Sequence, residues 1–139
     1  MLLLPAEIET RTSVPALRAM VAKRLLGEYD LSQKEAAEVM GVTQAAISNY
    51  LRGTRGSAFT IGNDSRIDTL IQEVAEMMVE RRAPSSIISK FSQACTLIRT
   101  ERMLCDIHKQ LEPSIDVESC HVCDSENENQ NLPIRLKLN

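Results

Sequence analysis

The chain has 139 residues, a formal net charge of −3, 43% apolar residues and 3% aromatics with no Trp, which bounds it to one domain or two small ones with a helical core of Leu, Ile, Val, Met and Ala. It holds no apolar run of about 18 residues for a membrane span, and Met1-Leu2-Leu3-Leu4 is stopped by Pro5 and Glu7, short of a signal core. With no phosphate-binding glycine loop, no His and carboxylate pair in motif spacing and no nucleophile elbow, the sequence asks for neither catalysis nor a small-molecule substrate, and the expected compartment is the cytoplasm.

Residues 2–12 read as an extended arm or short strand, after which Pro15 opens a helix with Leu17, Met20, Val21 and Leu25 at the helical period. Ser32 and Glu35 have capping-box spacing, so a second helix starts near Gln33, with Ala36, Ala37, Val39 and Met40 on its apolar side. Gly41 supplies the left-handed residue that ends it. Thr43 caps the next helix, where Ile47 and Leu51 face inward and Gln44, Ala45, Ser48 and Asn49 face outward, with Arg52 and Gly53 at its end.

Residues 55–58 read as a loop pinned by Phe59 and Ile61, and Asn63 or Asp64 caps a helix running to about Arg82. Its stripe of Ile67, Leu70, Ile71, Val74, Met77 and Met78 is expected to be core at its start and a dimer seam at its end. Pro84 breaks that helix, and Ser85 or Ser86 starts another with Ile87, Ile88, Phe91, Cys95 and Ile98 on one side. A short helix over about 101–111 carries Cys105 and His108 one turn apart and stops at Pro113. Residues 124–131 are polar and acidic and read as disordered, and residues 132–139 alternate like a strand with no partner. The expected organisation is a helix-turn-helix domain with its arm at 1–82, a cysteine-rich module supporting a dimer at 83–124 and a tail at 125–139.

Two capped short helices joined by a glycine turn are the means of presenting a helix to the DNA major groove. Gln44 and Asn49 offer a donor beside an acceptor, the pattern that pairs with the N6 and N7 edge of adenine for about 1 to 3 kcal/mol of discrimination. Gln33 and Thr43 stand at helix starts where a phosphate is held, and Lys34, Arg52 and Arg55 neutralise the flanking backbone. Residues 1–62 carry 7 basic and 6 acidic side chains and residues 63–139 carry 9 and 13. So weak a positive charge predicts that tight binding needs a homodimer, with further phosphate contacts from Arg18, Lys23 and Arg24.

The stretch resembles the helix-turn-helix of the lambda-repressor and Cro type over about residues 12–80. The resemblance implies an all-α bundle of about five helices, a phosphate at Gln33, base edges facing Gln44, Ala45 and Asn49, and dimers on half-sites about 34 Å apart. Ala45 departs from the polar residue often found there and reaches only a thymine methyl or nothing.

All four cysteines, Cys95, Cys105, Cys120 and Cys123, fall within a 29-residue window. Reduced thiols grouped in this way suit a metal centre better than disulfides. Zinc would take Cys105, His108, Cys120 and Cys123 and leave Cys95 as a small buried apolar residue, whereas an iron-sulfur cluster would take Cys95 in place of His108. Residues 3–9, the run 43–53 and the cysteine-rich end together resemble archaeal transcription regulators, some of which end in a cysteine module suspected of binding iron and sulfur. That resemblance implies a cluster, 4Fe-4S before 2Fe-2S, and a dimeric regulator of double-stranded DNA sensing redox or iron status. The other readings are a regulator with structural zinc and no redox sensing, thiol-disulfide sensing or inert cysteines, and an electron or sulfur carrier that docks proteins.

Overall fold

The structure is a computed structural model that describes residues 2–53, 56 and 61–124, and all regular structure among them is helical. The readings made for Arg55, Phe59, the loop residues around Gly56 and the segment 125–139 lie outside the described residues.

The segment expected to be an extended arm contains helix α1, Pro5–Arg11. Pro5 stands at its first position, where a missing N–H costs nothing, and the Glu7 carboxylate accepts the Leu4 N–H at 2.8 Å. Ile8, 1% exposed, anchors α1 in the core. Thr12 donates its hydroxyl to the Ile8 carbonyl at 2.6 Å and turns the chain into α2, Ser13–Gly27. Pro15 therefore lies inside the first turn of α2, and Leu17, Val21 and Leu25 are buried at the expected period.

Helix α3 spans Gln33–Met40, with Ser32 Oγ accepting the Glu35 N–H at 3.1 Å. Gly41 has φ 67°, and the N–H groups of Gly41 and Val42 return to the carbonyls of Glu38 and Ala37 at 3.2 and 3.1 Å. This closes the helix with its carbonyls satisfied. Helix α4 follows over Gln44–Arg52, with Thr43 Oγ1 accepting the Ala46 N–H at 3.0 Å. The small buried faces of Ala36 and Ala37 on α3 and Ala46 on α4 let the two helices cross closely.

Asp64 caps α5, Ser65–Val79, by accepting the N–H groups of Arg66 and Ile67 at 2.9 and 3.3 Å. Helix α6, Pro84–Thr100, and α7, Cys105–Leu111, complete the chain. Three boundaries differ from the sequence reading: α5 stops before Arg82, α6 starts at Pro84 without a serine cap, and residues 101–104 are a turn outside α7. The two C-terminal boundaries share a cause. Arg81 and Arg102 hold the left-handed position with φ 54° and 61°, and the following N–H groups of Arg82 and Met103 bond back to Met77 and Ile98 at 3.0 Å each. Both helices thus end in glycine-type caps built on arginine, which the sequence does not advertise.

α6 packs along α5, and α2 lies against both α4 and α5. Ile67, Ile71, Val74 and Met78 of the α5 stripe are buried within this chain, Met78 at 7% exposure, while Leu70 and Met77 are half-buried. Ala94 and Ile98 of α6 and Leu104 join Ile8, Leu17 and Ile47 in a single apolar cluster. Helix α4 and helix α6 therefore share one core.

Candidate nucleic-acid interface and thiol-lined cavity

Helix α4 is held from behind by Ala46, Ile47 and Tyr50, the last two at 0% and 1% exposure. Tyr50 is the largest fully buried side chain and takes the anchoring role that the sequence gave to Leu51, which is half-buried. Its position one turn after Ala46 and Ile47 was the available signal. With that face fixed, Gln44, Ala45, Ser48, Asn49 and Arg52 share the opposite side. Gln44, Ala45 and Arg52 are exposed, whereas Ser48 and Asn49 are half-buried. The Arg52 guanidinium donates to Ser48 Oγ at 2.7 Å, so the cation lies along the helix and occupies that hydroxyl.

Thr43 and Lys34 are exposed beside this face, and Gln33 is half-buried at the first position of α3. Thr43 spends a lone pair on its cap, which leaves its hydroxyl proton able to donate. Arg18 and Lys23 are exposed, but Arg24 is bound to α5 through Asp68 and through Gln72 Oε1 at 2.9 Å. Arg24 therefore braces α2 on α5, and its guanidinium is engaged within the fold.

The second feature lies at the far end of the chain. Lys109 Nζ donates to the carbonyls of Pro113 and Ile115 at 2.8 Å, and Arg102 donates to the carbonyl of Val117, which folds residues 113–124 back over α7. Cys105, His108, Cys120 and Cys123 then line one cavity of about 20 Å³, together with Arg102 and Asp124. Cys95 lines a different space, a groove of about 680 Å³ between α2, α3 and α6. Burial pushes the Cys95 thiol up, and Glu9 adds to this while Arg99 and Arg18 oppose it. Among the described residues, no three His, Cys, Asp or Glu side chains already stand at metal-ligating separation.

His108 is fixed by a neighbour that sequence reasoning missed. Its Nε2 lies 2.9 Å from Glu112 Oε2, an oxygen that also accepts the Leu3 N–H at 3.3 Å. The hydrogen bond to His108 holds the Glu112 carboxyl below its usual range, with the Leu3 amide adding to the effect. Glu112 four residues after His108 on one helix was the legible hint. His121 pairs instead with Asp124 through Nδ1 at 3.0 Å and is exposed. That pairing lowers the Asp124 carboxyl, whose Oδ1 is buried with no hydrogen-bond partner.

Residues 21–60 match the family described as Helix-turn-helix, of the lambda-repressor and Cro kind, a span that contains α3, the Gly41 turn and α4. No curated protein and no solved structure matches the chain. The match supports a DNA-binding regulator acting on double-stranded DNA. Among the described residues no helix is long and apolar enough to cross a membrane.

Proposed function

We propose that the protein is a sequence-specific transcription regulator that reads DNA with the outer face of α4 and acts as a homodimer. The observation that carries this reading is a doubly capped α3-turn-α4 unit, within the family match, whose buried Ile47 and Tyr50 leave Gln44, Ala45 and Asn49 on the opposite side. In this reading Gln44 and Asn49 contact base edges. Gln33, Lys34, Thr43, Arg52 and Arg55 fix the register through phosphates, with Ser48 reaching the duplex once Arg52 turns away. Dimerisation supplies a second, convergent set of phosphate contacts to a chain whose net charge is −3.

The thiol-rich segment 83–124 gives the regulator a metal centre. In the sensing form, a 4Fe-4S cluster on Cys95, Cys105, Cys120 and Cys123 reports redox or iron status, and its loss unfastens α6 and α7. A coupling of about 1.4 to 2.8 kcal/mol between cluster and operator would change affinity 10 to 100-fold. In the other form the centre is structural zinc. The cluster requires Cys95, which lines a different groove, to meet the three thiols of the cavity.

The test is operator selection from random duplexes followed by footprinting. Gln44→Ala and Asn49→Ala are each expected to relax base preference at one position, worth about 1 to 3 kcal/mol. A double variant with an unchanged footprint would overturn this reading of α4.

A further inference from the structure

We infer that the C-terminal thiols hold a single divalent metal ion of the zinc class on Cys105, His108, Cys120 and Cys123, with Cys95 outside the site. The inference rests on the reading that this segment binds metal, and chooses between its two chemical forms.

The first argument is placement. The two thiols of the Cys120 to Cys123 knuckle, the thiol at the start of α7 and the imidazole one turn further on line the same cavity, while Cys95 lines a different groove. Three thiolates and an imidazole are a complete tetrahedral zinc set. A four-cysteine cluster does not fit this placement.

The surroundings are those of a cation site. The Glu112 carboxylate, 2.9 Å from His108 Nε2, can only accept, so in the metal-bound form His108 would donate to it through Nε2 and ligate through Nδ1. A carboxylate that orients the far nitrogen of an imidazole is the usual outer partner of a metal-ligating histidine. Asp124, also on the cavity wall, keeps a buried Oδ1 with no donor. Arg102 adjoins Cys105 and lies 3.9 Å from Asp124, placing a positive charge against a centre of three thiolates that is net negative. The donors line the wall without meeting at a point, so binding draws residues 113–124 inward and couples metal uptake to the closure of that loop. On binding, three S–H bonds release their protons to solvent and three sulfur-metal bonds and one nitrogen-metal bond form, with no change of oxidation state.

The experiment is metal and acid-labile sulfide analysis of the full chain purified without oxygen, followed by titration of the apo-protein with cobalt(II) alone. Expected are one zinc per chain, no sulfide, and a cobalt spectrum with thiolate charge-transfer and tetrahedral bands. Cys95→Ser should retain the ion in full, Cys120→Ser and His108→Ala should lose the tetrahedral spectrum, and Glu112→Gln should weaken cobalt binding about 10 to 100-fold. A brown protein with stoichiometric sulfide that bleaches in Cys95→Ser overturns the inference in favour of a cluster, and a chain that takes up neither metal overturns it outright. The wild-type cobalt spectrum decides the matter even where a variant misfolds. Operator binding is scored separately: metal bound as described without DNA binding sinks the regulator and leaves this site standing.

Discussion

Asp64 shows how much a single side chain does here. Its carboxylate caps α5 and also engages Arg66, whose guanidinium continues to Glu101 beyond the end of α6 at 2.9 Å. The Arg66 hydrogen bond holds the Asp64 carboxyl below its ordinary value of 3.8, with the two backbone N–H bonds helping. A lowered native pKa means that the stabilisation is complete above the unfolded value and fades as pH falls through the folded one. Asn caps as well as Asp but cannot pair with Arg66. Urea unfolding should therefore find Asp64→Asn less stable than wild type near neutrality and the two converging below pH 3.8; a gap independent of pH would remove the ion pair from the explanation. The sequence named Asp64 as one of two candidate caps. Its link to Glu101, 35 residues away, is a product of the fold.

Among the helices, legibility followed the chemistry of the ends. α3 and α4 carry Ser, Thr and Gly where caps need them, and their limits matched the reading. α5 and α6 end on left-handed Arg81 and Arg102, and α1 begins with Pro5 and Glu7 in a stretch that read as an extended arm or short strand. Gly56 makes a testable case in the connection between α4 and α5. It has φ 81°, and a Cβ there would lie 2.6 Å from the Pro15 carbonyl oxygen and 2.9 Å from Ala19 Cβ. Backbone oxygen cannot step aside as a flexible side chain would, so Gly56→Ala should cost more than roughly 1 kcal/mol. Gly62, around which a Cβ meets nothing within 4 Å, is the matched control. Thermal melts of the two variants check this, and equal melting temperatures would mean that the close approach to α2 is not maintained in solution.

For the whole molecule the central fact is one apolar cluster running from α1 through α4 to Leu104. Ile98 of α6 is 0% exposed in it. Ile98→Ala should cost about 2 to 5 kcal/mol, and because the core is shared, the loss should reach α4. The chain has two tyrosines, Tyr29 and Tyr50, both on the helix-turn-helix side, so tyrosine fluorescence and far-ultraviolet dichroism compare one region with the whole. The two probes should shift together in urea. Separate transitions would show two cooperative units and leave the C-terminal helices unable to act on α4 through packing.

By itself the sequence determined the helical class, the α3-turn-α4 unit and the outward set on α4, because caps, a left-handed glycine and the helical period are local properties written in adjacent residues. It also grouped the thiols and offered two ligand sets. Only the tertiary structure placed Cys95 in a different groove from the other three, brought Glu112 to both Leu3 and His108, tied Arg24 to α5 and buried Met78 within the chain. Those outcomes depend on which faces of distant helices meet when the core closes, and spacing along the chain does not encode that meeting one residue at a time.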